Sequence, residues 1–135
     1  MHKKMNAWKQ AVALVTRTYR ATEAFPRREM FGLTSQMRRA AVSIPSNIAE
    51  GAAHGSPREY IRFLRIATGS VSELETQYVV AEQLGYINCN LLADILREVE
   101  SVKKLLFGVI RSQKAKLNPA KSEVGVEIES PVEVE

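Results

Sequence analysis

Residues 33–51 read LTSQMRRAAVSIPSNIAEG, and Leu33, Met37, Ala40, Ile44 and Ile48 recur there at steps of three and four. That period puts them on one face of an amphipathic α-helix. The other positions are mostly small or polar, so a neighbouring backbone can approach closely. Thr34 reads as the N-cap. Pro45 lies inside the segment and removes the donor that would reach the carbonyl of Ala41. A kink is expected there, with Ser43 or Ser46 helping to satisfy the freed group.

Outward from this segment the chain keeps the helical period. A first helix is expected from near Asn6 to Ala24, with Trp8, Ala11, Val15, Tyr19 and Thr22 facing one way. Phe25-Pro26 ends it, because a residue before proline disfavours the helical region. Pro26 then opens a short helical turn through Met30, broken at Gly32. On the other side, Gly51-Ala52-Ala53-His54-Gly55 leads to Ser56-Pro57-Arg58-Glu59, a capping box with proline at the first helical position. The third helix runs from there to about Leu84. Tyr60, Leu64, Ala67, Val71, Leu74, Tyr78 and Ala81 form its heptad seam. Gly85-Tyr86-Ile87-Asn88 turns the chain, with Asn88 or Asn90 as cap. A fourth helix carries Leu92, Ile95, Val99, Val102, Leu106 and Val109 to about Lys116. Four amphipathic helices with short connections predict an all-α domain over residues 1–117, an antiparallel left-handed four-helix bundle.

Asn118-Pro119 stops the last helix. In residues 118–135, Val126, Ile128, Val132 and Val134 alternate with glutamates. Low apolar content and high charge predict a flexible acidic tail. The period-two alternation also allows an edge strand added to a neighbour. The charge is divided in the same way: residues 1–117 hold 18 Lys+Arg against 10 Asp+Glu, and residues 118–135 hold Lys121 against five glutamates. A basic body suits an acidic partner such as nucleic acid, and an acidic tail can compete for that body.

A chain of 135 residues is one domain, large enough to need no staple. Its single cysteine, Cys89, excludes an internal disulfide and fits a reducing cytoplasm. Trp8, Lys9 and Gln10 interrupt any apolar run after the basic N-terminus, so no signal peptide is expected. No segment approaches the roughly 20 apolar residues of a membrane helix.

The Leu33–Gly51 block is accompanied by a second, made of Ser56, Glu59, Tyr60, Phe63-Leu64, Ala67, Gly69-Ser70 and Glu73-Leu74-Glu75-Thr76. Trp8 with Ala11, Phe25-Pro26 with Glu29, and Leu84-Gly85-Tyr86 add further matches. Over about residues 7–112 these blocks, in this order, resemble the 23S rRNA intervening-sequence proteins, a family of four-helix-bundle proteins. The resemblance implies a four-helix bundle that assembles into a ring-like homopentamer. The family name records where some members are encoded, not an activity. Similar proteins, the accessory variability determinants of diversity-generating retroelements, are basic pentamers that bind a reverse transcriptase and nucleic acid. The resemblance thus implies RNA or DNA, and a protein partner such as a reverse transcriptase. The acidic tail departs from the family pattern.

Arg58, Arg62 and Arg65 fall at i, i+4 and i+7, on a stripe away from the heptad seam, which Gly69 and Ser72 continue. Guanidinium groups pair well with phosphate oxygens, and small neighbours let a backbone come close. A solvated face with Glu59 supplying a salt bridge is the plainer reading. Arg17 with Arg20, and Arg27-Arg28, add positive charge. Arg38 and Arg39 point about a hundred degrees apart. One of them is expected to pair with Glu73 or Glu75 across the bundle or between subunits, which makes these four structural or interface residues.

Glu50 and His54, one turn apart, supply at most half of a metal site, and no metal is expected. The glycines at 51 and 55 do not make a phosphate loop, because Pro57 lacks a donor. No histidine is placed to activate a hydroxyl, so neither catalytic residues nor a cofactor are expected. Ile61, Phe63, Ile66, Leu91, Leu96, Leu105 and Ile110 exceed the needs of a lone bundle and predict a subunit interface. The third helix is too long, and too committed to packing, for a helix-turn-helix reader. The expected function is therefore a non-enzymatic homo-oligomer whose basic surface binds RNA or DNA. The alternative is a protein–protein adaptor with no nucleic-acid role.

Overall fold

The computed structural model describes residues 2–118, with side chains from Met5 onward. The tail's expected flexibility or strand lies outside the described residues. Within these residues four helices, α1 (His2–Thr22), α2 (Leu33–Ala53), α3 (Pro57–Gln83) and α4 (Cys89–Leu117), are joined by short connections, and a 3-10 turn spans Arg27–Glu29. Among the described residues there is no strand.

The boundaries follow the local chemistry. Ser56 Oγ accepts the Glu59 N–H at 3.2 Å, with Pro57 in the first turn, and the Asn88 side chain accepts the Leu91 N–H at 2.8 Å. Gly55 and Gly85 take φ of 74° and 80°, a left-handed conformation that a side chain would strain. The start of α2 differs from expectation. Thr34 is buried inside the first turn, and Glu29 Oε1, from the preceding 3-10 turn, accepts the Leu33 N–H at 3.1 Å. The cap is thus supplied four residues upstream. Tyr86 OH donates to the other oxygen of Glu29 at 2.7 Å, and these two bonds hold the Glu29 carboxyl below its ordinary pKa. Pro45 is buried within a helix that continues through it. Ser43 does not serve the freed carbonyl. Its hydroxyl meets Ser70 Oγ at 2.8 Å, and Asn47 donates to the Ser43 carbonyl at 2.8 Å.

α1 packs on α2 and α4, and α3 packs on the same two, so α1 and α3 stand diagonally. Gln10 meets Ser101 while Arg17 meets Glu98, so α4 runs antiparallel to α1. Ser43 meets Ser70 while Gly51 lies against Tyr60 and Phe63, so α3 runs antiparallel to α2. Gly51 is required by that approach: a Cβ there would stand 2.9 Å from Phe63 Cβ and Tyr60 Cδ1.

Every expected seam residue of α3 is buried, as are Ile95, Val99, Val102, Leu106 and Val109 of α4. The seam of α1 is displaced. Trp8 and Tyr19 are 44% and 42% exposed, and the buried face is Ala7, Ala11, Leu14, Thr18 and Thr22. The two threonines bury because each hydroxyl donates to the carbonyl four residues back, at 2.8 Å, which leaves a methyl for the core. Tyr78 OH crosses the diagonal to Thr18 Oγ1 at 2.7 Å, and burial pushes its pKa up to about 12.

The expected apolar surplus is also relocated. Ile61 and Ile110 are buried, and Leu91 and Leu105 pack against the core within one chain. Of that set Ile66 is exposed; the other large exposed apolar side chains include Trp8, Val12 and Tyr19 on α1 and Val79, Val80 and Leu84 at the far end of α3.

Candidate nucleic-acid interface

The outer stripe of α3 is built by the heptad itself. Because Leu64, Ala67 and Val71 are fixed in the core, Arg58, Arg65, Gly69 and Ser72 must face away from it, and all four are exposed. The three arginines are not equivalent. Arg62 donates from Nε and Nη2 to Glu59 Oε1 at 3.2 and 3.1 Å, and its guanidinium lies 4.5 Å over the Phe63 ring. Among the described residues, Arg58 and Arg65 make no ion pair. Two free guanidinium groups thus stand about two helical turns, roughly 10 Å, apart on one face. Beyond them, a Cβ at Gly69 would meet nothing within 4 Å.

The other arginines divide in the same way. Arg17 pairs with Glu98 of α4 at 3.3 Å, which ties α1 to α4. Arg20 is exposed with no ion pair among the described residues. Arg38 reaches back to α1: its Nε donates to Thr22 Oγ1 at 2.9 Å, its Nη2 to the Tyr19 carbonyl at 3.3 Å, and the guanidinium covers the Tyr19 ring at 4.5 Å. A cation at a helix C-terminus is favoured by the exposed carbonyls there. Arg38 is thereby tied to the end of α1. Among the described residues Glu75 takes Lys103 at 2.7 Å and Glu73 takes Gln77 at 3.3 Å, and neither pairs with Arg38 or Arg39. Arg39 is exposed, at the edge of a shallow cleft lined by Tyr19, Arg38, Val42 and Ser43. Sequence reasoning missed this cleft. Its signal was present in Tyr19 falling on the same stripe as Trp8 and Val12, outside the Ala11 and Leu14 face.

His54 stands 3.5 Å from Glu50 and stacks on Phe63 with ring centroids 5.1 Å apart. Among the described residues no three His, Cys, Asp or Glu side chains gather as a metal site. No described helix is long and apolar enough to cross a membrane.

The fold has solved counterparts. A crystal structure of a protein of unknown function from the S23 ribosomal protein family of Bacteroides thetaiotaomicron superposes with a TM-score of 0.74 at 22% identity, covering 81% of this chain and 98% of that one. That likeness is one of fold. No curated protein matches the chain. The sequence profile described as 23S rRNA-intervening sequence protein matches residues 3–108, and the chain belongs to that family.

Proposed function

We propose that the chain is a non-enzymatic, cytoplasmic homo-oligomer, a left-handed bundle that binds the phosphates of RNA or DNA along the outer face of α3. One observation carries this reading: Arg58 and Arg65 are exposed, without ion pairs among the described residues, on a face that continues open through Gly69. Arg62, steadied by Glu59, lies between them, and Arg20 adds positive charge on α1. Such contacts hold a nucleic acid without reading its bases. Exposed Trp8 and Val12 of α1, and Val79, Val80 and Leu84 at the far end of α3, support assembly. They lie on diagonal helices, and two unlike patches on opposite sides join head to tail, the contact that closes rings. Five subunits is the number the family resemblance implies. A protein partner such as a reverse transcriptase, or an adaptor role with no nucleic acid, is favoured by a separate feature: Phe31, between α1 and α2, is 92% exposed.

Binding of fluorescently labelled single-stranded RNA and DNA of mixed sequence, titrated with salt, tests the main reading. Affinity should fall linearly on a log–log plot, with little preference for sequence. Absence of binding at low salt would leave the adaptor. Light scattering should give a mass near five chains, and a concentration-independent monomer of 15.1 kDa would contradict the assembly.

A further inference from the structure

The cleft over α2 is a second site of different character. Tyr19 and Val42, 42% and 40% exposed, make part of its lining apolar. Its charge has one sign: the Arg38 guanidinium lies over Tyr19, and Arg39 stands exposed with no ion pair among the described residues. The complementary ligand carries carboxylates and small apolar side chains in alternation. An extended peptide of that pattern sends one kind of side chain to each side.

The chain contains such a segment. Residues 128–135 read IESPVEVE. Its reach is sufficient. α4 ends at Leu117, and Glu98, which pairs with Arg17 near the cleft, lies 19 residues back along it (117 less 98). That is about 29 Å of helix at roughly 1.5 Å per residue. The 18 residues 118–135 extend to about 60 Å at roughly 3.3 Å each. A chain laid back along the bundle therefore brings its second half, from about Ile128 onward, level with Tyr19.

We propose that residues 128–135 dock in this cleft of the same chain, with Val132 and Val134 toward Tyr19 and Val42, and Glu133 and Glu135 toward Arg39. The interaction is part apolar and part ionic, so high salt weakens it.

Cysteine cross-linking in the full chain tests this. With Cys89→Ser to remove the native thiol, Val42→Cys combined with Val132→Cys should oxidise to an intrachain disulfide at least tenfold faster than Glu100→Cys combined with Val132→Cys. Glu100 is exposed on α4, the helix diagonal to α2, and serves as the control. Adding Arg39→Glu should bring the fast pair down to the control rate. Equal rates for the two pairs, or a disulfide formed only between chains, would overturn the proposal. A second measurement leaves the cleft intact. Reversal of Glu129, Glu133 and Glu135 to Lys should shift the amide resonances of Tyr19, Val42 and Ser43 and leave those around Arg65 in place. Unmoved cleft resonances would overturn it as well.

Discussion

The inner faces of α2 and the outer stripe of α3 use the same residue types to opposite ends. Each has a glycine inside a helix and an arginine one or two turns from small residues. Gly51 is pressed against Tyr60 and Phe63, whereas a Cβ at Gly69 would meet nothing within 4 Å. Arg38 is bonded to Thr22 and Tyr19, whereas Arg65 has no ion pair among the described residues. Residue type alone does not distinguish a packing device from an open surface; what stands opposite the side chain does. On α2 the small residue and the cation serve the fold, and on α3 they stand open.

Substitution should separate the two regions, and the largest effect belongs to Gly51→Ala. The methyl meets two side-chain atoms at 2.9 Å and the Tyr60 carbonyl at 3.2 Å. Overpacking of this kind costs roughly 1–3 kcal/mol, which outweighs the gain of up to about 1 kcal/mol for alanine over glycine in a helix. A net loss of about 1–2 kcal/mol is expected in urea unfolding, and unchanged stability would break the contrast from the α2 side. Arg38→Ala comes next, at about 1 kcal/mol, because it removes hydrogen bonds from a charged donor and the cation–π contact with Tyr19.

A smaller effect is expected where α2 begins. The Tyr86 and Leu33 hydrogen bonds lower the Glu29 pKa, so their contribution is present at neutral pH and is lost as pH falls through that lowered value. Tyr86→Phe should reduce stability at pH 7, and the difference from wild type should vanish in acid. A difference that persists in acid, once Glu29 is protonated, would assign it to packing of Tyr86 on Phe25 instead.

Gly69→Ala should have the opposite sign from Gly51→Ala. With open space around the new methyl and a helical backbone, it should stabilise the chain by up to about 1 kcal/mol. A loss of stability or of oligomer mass would show that Gly69 faces another subunit.

The contrast between regions also marks what could be read from the sequence. The α3 seam was fully legible, because seven apolar residues at heptad spacing allow one helix phase, and that phase also placed Arg58 and Arg65 outward. The α1 face was not. Trp8 and Tyr19 drew the seam by their size, and Thr18 and Thr22 look polar until their hydroxyls are bonded to carbonyls of the preceding turn. Capping was legible at Ser56 and Asn88, where donor and acceptor are three residues apart. It was not at Leu33, whose acceptor belongs to a turn of its own that is also held by Tyr86. The partner of Arg38 was beyond reach for the same reason: it depends on where the end of α1 lies after folding.

The most direct test of the open surface on α3 is the salt dependence of RNA binding by Arg58→Ala/Arg65→Ala beside wild type. Both side chains are exposed, so stability should change by within ~0.5 kcal/mol for each. The slope of log affinity against log salt should become shallower by about 0.7 for each single-strand phosphate that is no longer neutralised, with sequence preference unchanged. An unaltered slope at intact oligomer mass would contradict the assignment of this face to nucleic acid, and dissociation into monomers would assign the two arginines to the subunit interface.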